Sequence, residues 1–113
     1  MYAWAKKLNN IIAVVDNNNL QATNNCSTFI PNGPLFNAIE KLWWTIFSID
    51  WHNLDEIQWT INKCYEYNKG PILIILKTIK WKWVHFMENS IEWHHKSMTH
   101  EEYLLAKKII NEW

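Results

Sequence analysis

The sequence predicts an α/β fold with a parallel sheet and helices on both faces. Three short apolar runs alternate with stretches of helical periodicity, namely Ile11–Val15, Thr45–Ile49 and Ile72–Leu76. Because strands alternate with helices, successive strands are expected to lie parallel and to be joined by right-handed crossovers. Continuous apolar strands of this kind are usually buried on both faces of the sheet.

Three helices are predicted from apolar residues at helical spacing and from the signals at their starts. Asn53 with Glu56 and Thr99 with Glu102 have the spacing of capping boxes, and Pro34 suits a first helical position. Helices at these places would cover the faces of the sheet. Their apolar stripes comprise Leu35, Phe36, Ile39 and Leu42 in the first, Leu54, Ile57, Ile61, Cys64 and Tyr65 in the second, and Leu105, Ala106, Ile109 and Ile110 in the third.

The amino-acid composition limits the classes of partner and the cellular setting that are expected for this chain. Hydrophobic residues make up 49% of the chain and charged residues 19%, so the chain can bury a core. The formal net charge is zero, which argues against a nucleic-acid or membrane partner held by bulk electrostatics. No apolar run approaches membrane-spanning length. Cys26 and Cys64 form no C-x-x-C motif, which favours a reduced cytoplasmic setting.

Two polar stretches follow predicted strands and mark a ligand-binding edge. Asp16–Asn19 follows the first strand, and the long segment Lys77–Lys96 follows the third. Ordered loops as long as the second are usually functional. Ligands of parallel sheets bind beyond the carboxyl ends of the strands, so both stretches are expected on one rim.

Two other functions of the Lys77–Lys96 loop fit less well. Its alternating Lys and Trp residues suggest stacking on nucleic-acid bases, but the zero net charge weakens that interpretation. A zinc site would need spacing typical of a closed His/Cys site, which the histidines lack. These histidines are His85, His94, His95 and His100.

Three stretches resemble the motifs of a known family. AKKLNNIIAVVDNNNLQAT resembles the end of the family's thiamine diphosphate motif, V-D-x-N-x-L-Q. LWWTIFSIDWHNLDEI resembles F-G-W-x-x-x-x-x-D-G-H-x-x-x-x-I, and KTIKWKWVHFMENSIEWHHK resembles K-T-x-K-G-x-G-V-x-F-M-E-N-x-x-E-W-H-G-K. The family that these stretches resemble is the transketolase family, which implies the thiamine diphosphate-binding fold. Residues 1–113 would be the carboxyl-terminal part of one such domain, with the upstream half missing, and the uncapped helical segment at residues 2–8 agrees with this.

The resemblance also implies which residues face the cofactor, thiamine diphosphate. The Asn18 side chain and the Leu20 carbonyl would hold Mg²⁺ or Ca²⁺, metals that prefer oxygen ligands. Lys80 would approach the cofactor, because an ammonium group can pair with a diphosphate. His94 would contact the diphosphate and the incoming sugar, and is expected to be catalytic because imidazole moves protons near neutral pH. His52 is expected to make a structural loop contact.

The implied function is that of part of a transketolase, an enzyme of the pentose phosphate pathway that transfers a two-carbon ketol unit between sugar phosphates. The family's active site lies between two halves, so sugar phosphates and a carboxyl-terminal transketolase subunit or domain are the expected partners, within an oligomer. The chain alone is expected to be inactive, since it carries one edge of the site. Two alternatives stay open: another thiamine diphosphate enzyme such as deoxyxylulose-phosphate synthase, and a fragment without independent function.

The tryptophans are the main departure from the family. The chain has nine Trp and only two Gly, although α/β turns need glycine. Trp44 and Trp93 stand where the family itself has Trp, Trp4 stands where it has a small residue, and His95 replaces a family glycine. We hypothesise that the source organism reads the UGA codon as glycine. The positions at which Trp replaces a family glycine are Trp43, Trp51, Trp81 and Trp83.

Overall fold

The computed structural model describes residues 1–28 and 31–112. Helices and strands alternate in the predicted order, and a short 3₁₀ turn lies in each of two loops, at Cys26–Thr28 and Glu92–His94. The elements are α1 (Tyr2–Ala5), β1 (Ile12–Asn17), α2 (Asn32–Lys41), β2 (Thr45–Asp50), α3 (Leu54–Glu66), β3 (Ile72–Lys77) and α4 (His100–Asn111).

The three strands form one parallel sheet in the order β1-β3-β2. Ile74 of β3 lies opposite Val14 of β1 on one side and Phe47 of β2 on the other. The central position of β3 explains its composition, because residues 72–76 are buried on both faces of the sheet. The predicted parallel α/β fold is therefore confirmed, and each predicted strand lies within one or two residues of its observed bounds.

Two helix boundaries differ from the sequence prediction. Helix α2 begins at Asn32 after the N-cap Pro31, so Pro34 is its third residue and its predicted place as the first is wrong. Pro34 is tolerated there because the first N–H groups of a helix have no intrahelical partner. Helix α1 ends at Ala5, short of the predicted end at residue 8. Lys7, just beyond the helix, has a φ of 52°, in the left-handed region.

The two predicted capping boxes form to different extents. The Thr99 box is complete: its hydroxyl accepts from the Glu102 N–H at 3.2 Å, and Glu102 accepts from the Thr99 N–H at 2.8 Å. At α3, Asn53 Oδ1 accepts from the first-turn N–H groups, but the Glu56 carboxylate accepts from the Asp50 N–H at 2.8 Å instead of the Asn53 N–H. Glu56 thus ties the start of α3 to the end of β2.

The main core lies between the sheet and α3. Side chains on one face of β2 and β3 pack there with Cys64 of α3, and the hydroxyl of Thr45 donates to Tyr67 at 2.5 Å beside them. The buried members are Ile49, Cys64, Ile72, Ile74 and Leu76, with Phe47, Ile57 and Tyr67 packed around them.

A second, smaller core holds the long loop after β3 in place. It joins Val84, Met87 and Trp93 of the loop to Ala106 of α4, with Phe86 beside them. The Trp93 indole N–H donates to the Phe86 carbonyl at 3.3 Å. The loop predicted at residues 77–96 is therefore an ordered segment with its own apolar centre.

The β1 edge of the sheet is uncovered on the face that packs against α3. Ile12 and Val14 of the edge strand β1 are 46% and 57% exposed, although they are apolar. Together with Trp51, Ile61 and Tyr65 they line an apolar groove of about 260 Å³. The molecule measures 53 × 32 × 17 Å and has a radius of gyration of 17.6 Å, whereas a compact 100-residue domain has about 13 Å. None of the helices in the described part of the chain is long and apolar enough to cross a membrane.

Candidate functional site at the carboxyl edge of the sheet

The carboxyl ends of the three strands are joined into one rim. The Thr78 hydroxyl, just after β3, donates to the Asp16 carboxylate at the end of β1. The Trp51 N–H, just after β2, donates to the Lys77 carbonyl at 3.1 Å. Parallel strands end on the same edge, so residues distant in sequence meet there, as the sequence predicted for the two polar stretches.

His52 anchors the start of the long loop to this rim. Its Nε2 accepts a hydrogen bond from the Ile79 N–H at 2.9 Å, across 27 residues of sequence. The ring must therefore carry no proton on Nε2 in this arrangement. The expected structural loop contact of His52 is confirmed.

Asn18 and Leu20 lie together in a turn after β1. Asn18 Oδ1 accepts from the Leu20 N–H at 2.8 Å, and Asn18 Nδ2 donates to Asp16 at 3.2 Å. This is an Asx turn, which fixes the amide oxygen relative to the backbone two residues on. An amide oxygen has two lone pairs, so Asn18 Oδ1 keeps one for a further partner. The turn continues into a bridge between Leu20 and Asn25.

The donor set at this turn fits a hard cation in part. Amide and carbonyl oxygens are the ligand type that Mg²⁺ and Ca²⁺ prefer, and Asn18 and Leu20 offer one of each. Within residues 1–28 and 31–112, no group of three or more His, Cys, Asp or Glu side chains could hold a metal ion. Such a cation would therefore take its other ligands from a bound anion, water or other protein segments.

Lys80 lies in the loop after the rim contact of Ile79. Its side chain is half-buried, and Nζ lies 5.6 Å from the centroid of the Trp81 ring. Its carbonyl accepts from the Asn89 N–H at 3.2 Å, which closes the loop on itself. Lys80 thus follows the rim residue Ile79 directly in sequence, and its ammonium group lies over the Trp81 indole ring.

A second lysine was missed by the sequence reasoning. Lys82 lines a rim cavity of about 280 Å³, and its Nζ lies 5.0 Å from the Trp83 ring centroid. The cavity combines lysines with one carboxylate, so it presents mixed charge at the strand ends. The alternation of lysine along the loop was the only sequence signal for it. The lining residues are Asp50, His52, Lys77, Thr78, Ile79 and Lys82.

His94 lies on a separate part of the loop. It ends the 3₁₀ turn Glu92–His94, is exposed, and packs edge-on against the His95 ring at 4.6 Å. Its neighbour Trp93 is buried in the second core, so the backbone at His94 is well held. Among the described residues none forms a side-chain hydrogen bond with His94. The structure therefore joins Asn18, Leu20 and Asp16, but it shows no contact between them and Lys80 or His94.

The fold and the rim define a parallel α/β chain whose candidate ligand face is the carboxyl edge of its sheet. Comparison with known proteins shows that this chain is related to the transketolases, which confirms the resemblance seen in the sequence motifs. It is 31% identical over 106 residues to a 6-deoxy-6-sulfo-D-fructose transketolase subunit from Clostridium sp. strain MSTE9. It is 28% identical over 106 residues to a subunit of an apulose-4-phosphate transketolase from Phocaeicola vulgatus.

The solved structures agree with the sequence relatives. A transketolase from Campylobacter jejuni superposes with a TM-score of 0.84 at 25% identity, over 95% of this chain and 17% of that one. The two curated relatives match over 94% of this chain, but the chain spans only 38% of their length. No protein-family model matches the chain.

Proposed function

We propose that this chain forms the metal- and diphosphate-facing edge of a transketolase that uses thiamine diphosphate. The observation that carries the proposal is the Asx turn at Asn18 and Leu20, which lies at the carboxyl edge of a sheet related to transketolases. Thiamine diphosphate would supply the nucleophilic carbon and the electron sink for ketol transfer between sugar phosphates. The residues of this chain would bind and orient it.

Asn18 and Leu20 would hold Mg²⁺ or Ca²⁺ against the diphosphate. The turn fixes the Asn18 amide oxygen 2.8 Å from the Leu20 N–H, so the ligand is oriented before the metal arrives. Asp16 orients the same amide by accepting from its Nδ2 at 3.2 Å, and Asp16 is itself held by the Thr78 hydroxyl. Outer partners of this kind hold metal ligands in place.

Lys80 and His94 would act on the anionic side of the ligand. Lys80 would contribute a positive charge near the diphosphate, and Lys82 a second one from the rim cavity. His94 is exposed, so its imidazole is available to donate a hydrogen bond to the diphosphate and to exchange a proton with a sugar hydroxyl. For His94 to reach the ligand, the ligand must span the distance from the β1 turn to the 3₁₀ turn.

Residues 1–113 would be the carboxyl-terminal part of one thiamine diphosphate-binding domain. The uncovered β1 edge of the sheet supports this, because Ile12 and Val14 expose hydrophobic surface that a complete domain would cover. The relatives are named as transketolase subunits, so a second subunit is the proposed partner, in an oligomer that completes the active site. The chain by itself is proposed to be inactive.

The test is ketol transfer by the complete gene product with its partner subunit, thiamine diphosphate and Mg²⁺. Asn18→Ala should weaken Mg²⁺-dependent cofactor binding by at least the roughly 10- to 100-fold that loss of an outer partner of a metal ligand costs, because it removes a proposed ligand itself. Leu20→Ala is the matched control, because it keeps the backbone carbonyl and should change binding little. Equal losses in the two variants would contradict the metal assignment.

His94→Ala and Lys80→Met test the anionic side, with His100→Ala as an exposed control on the neighbouring helix. His94→Ala should lower kcat by about 10²- to 10⁴-fold, the range for a residue that moves a proton. His100→Ala should leave it unchanged. A folded, cofactor-loaded protein with no ketol transfer from any sugar phosphate would refute the proposed function.

A further inference from the structure

Three tryptophans have backbone conformations that suit glycine. Trp43, Trp81 and Trp83 have φ values of 66°, 58° and 82°, in the left-handed region. A bulky residue with φ in this range is a rare outlier, whereas asparagine tolerates it. Asn19 and Asn89 account for two of the other positive φ values in the described residues.

The two glycines of the chain show the opposite pattern. Neither Gly33 nor Gly70 has a positive φ, and a Cβ atom at either position would meet open space or ordinary contact distance. The chain thus has tryptophan where the backbone needs glycine and glycine where it does not. This inversion is difficult to explain if every codon is read correctly.

Trp43 occupies a position that glycine dominates in helices. It follows the C-cap Leu42 of α2, and its N–H donates to the Glu40 carbonyl at 2.9 Å. Roughly a third to a half of helices have a left-handed residue just beyond the C-cap, and that residue is usually glycine. The Trp43 side chain is 71% exposed, so the indole gains little packing in return.

Trp81 and Trp83 lie in consecutive tight turns of the long loop. The Lys82 N–H donates to the Ile79 carbonyl, and the Val84 N–H donates to the Trp81 carbonyl, both at 3.2 Å. Each indole is 44% exposed. Their rings lie against Lys80 and Lys82 and, for Trp83, edge-on to His52 at 6.3 Å.

Two other tryptophans behave as tryptophan should. Trp93 is 7% exposed, packs in the second core and donates its indole N–H to the Phe86 carbonyl. Trp44 is half-buried, and neither residue has a positive φ. Backbone angle and burial therefore separate Trp44 and Trp93 from Trp43, Trp81 and Trp83.

We infer that the functional protein carries glycine at positions 43, 81 and 83, and that these codons are UGA, read as glycine by the source organism. UGA differs from the tryptophan codon UGG in one base, so a translation table that reads UGA as tryptophan would produce the printed chain. The inference stands on backbone geometry and burial and does not depend on the proposed function. It covers three of the four positions at which Trp replaces a glycine of the transketolase motifs.

At position 51 only the sequence resemblance indicates glycine, because the backbone there does not require it. Its φ is not in the left-handed region, and its side chain lines the apolar groove beside Ile12 and Val14.

Glycine at positions 81 and 83 has a consequence for the rim. It would remove the indole rings that now contact Lys80, Lys82 and His52, and so leave both lysines open to an anion.

The test is to determine the codons of the gene and then the sequences of peptides from the protein isolated from its natural host. Cleavage after glutamate releases Tyr67–Glu88, whose only tryptophan positions are 81 and 83, and Lys41–Glu56, which carries 43 beside 44. Trp93–Glu101 is the control peptide. The expected result is UGA with glycine at 43, 81 and 83, and UGG with tryptophan at 44 and 93. UGG at 43, 81 or 83, or tryptophan in those peptides, would overturn the inference for that position.

Discussion

Replacing Trp43 by glycine should stabilise the protein, whereas the same change at Trp93 should destabilise it. Removing a side chain from the left-handed region at φ 66° recovers roughly 1–2 kcal/mol. The greater conformational freedom of glycine in the unfolded chain lowers the free energy of unfolding by roughly 0.5–1 kcal/mol. Since the indole is 71% exposed, little burial is lost. The expected net gain is about 1 kcal/mol, or about 4–8 °C in Tm for a domain of this size.

Trp93→Gly should lose about 3–5 kcal/mol, because a buried aromatic side chain leaves a cavity. It also removes the ring beneath Lys96, whose Nζ lies 4.2 Å from the ring centroid. Urea unfolding monitored by far-UV circular dichroism measures both changes. Trp43→Ala is the control that separates strain from side-chain loss, since alanine keeps the Cβ atom. A gain from alanine equal to that from glycine, or no gain from glycine, would refute the strain argument.

Three further predictions concern other parts of the chain. His52→Ala should lower the free energy of unfolding by about 1 kcal/mol in urea, because the Ile79 N–H loses its acceptor; no change would mean that water replaces the imidazole. The hydrogen bonds from Lys96 and then from the Thr99 N–H lower the pKa of Glu102 below its ordinary 4.5, so their stabilisation is present above that pH and is lost as pH falls through the lowered pKa. Thermal scans of Glu102→Gln should therefore show a flatter acid dependence than those of the parent, and an unchanged dependence would contradict this. Burial raises the pKa of the Cys64 thiol, so iodoacetamide followed by mass spectrometry should label Cys26 first and Cys64 only in denaturant; equal labelling without denaturant would contradict the burial.

The elements of the fold were predictable because their signals are local. The run Ile72–Leu76 is apolar at every position, which favours a central parallel strand, and it is one. Thr99 and Glu102 lie three residues apart, so their reciprocal capping depends on one helical turn and needed no tertiary information.

The sequence did not indicate contacts in which a residue has a partner from another element. Glu56 has the spacing of a capping box, but its carboxylate accepts from Asp50 at the end of β2. The hydrogen bond between His52 and Ile79 crosses 27 residues, and no periodicity predicts it. Lys82 lines the rim cavity only because the loop folds back there, so its role could not be derived from spacing.

The candidate site was predicted from motifs, and the structure brings together only some of its residues. Asn18 and Leu20 are joined by one short-range hydrogen bond, which a motif of three residues can encode. Lys80 and His94 are held by different contacts, the first near the rim and the second on the 3₁₀ turn anchored by Trp93. In the proposed function, a ligand or a further protein segment would connect the two parts.

The backbone angles of the tryptophans distinguish between explanations that the sequence alone leaves open. From the sequence alone, an excess of Trp and a shortage of Gly are compositional facts that fit several explanations. The φ angles select among them, because they identify Trp43, Trp81 and Trp83 as positions where any Cβ atom is unfavourable. Two of these positions flank Lys82, so the same correction that relieves the backbone also exposes positive charge at the rim. Stability and ligand binding should therefore improve together when glycine is restored at positions 81 and 83, and an improvement in only one would separate the two effects.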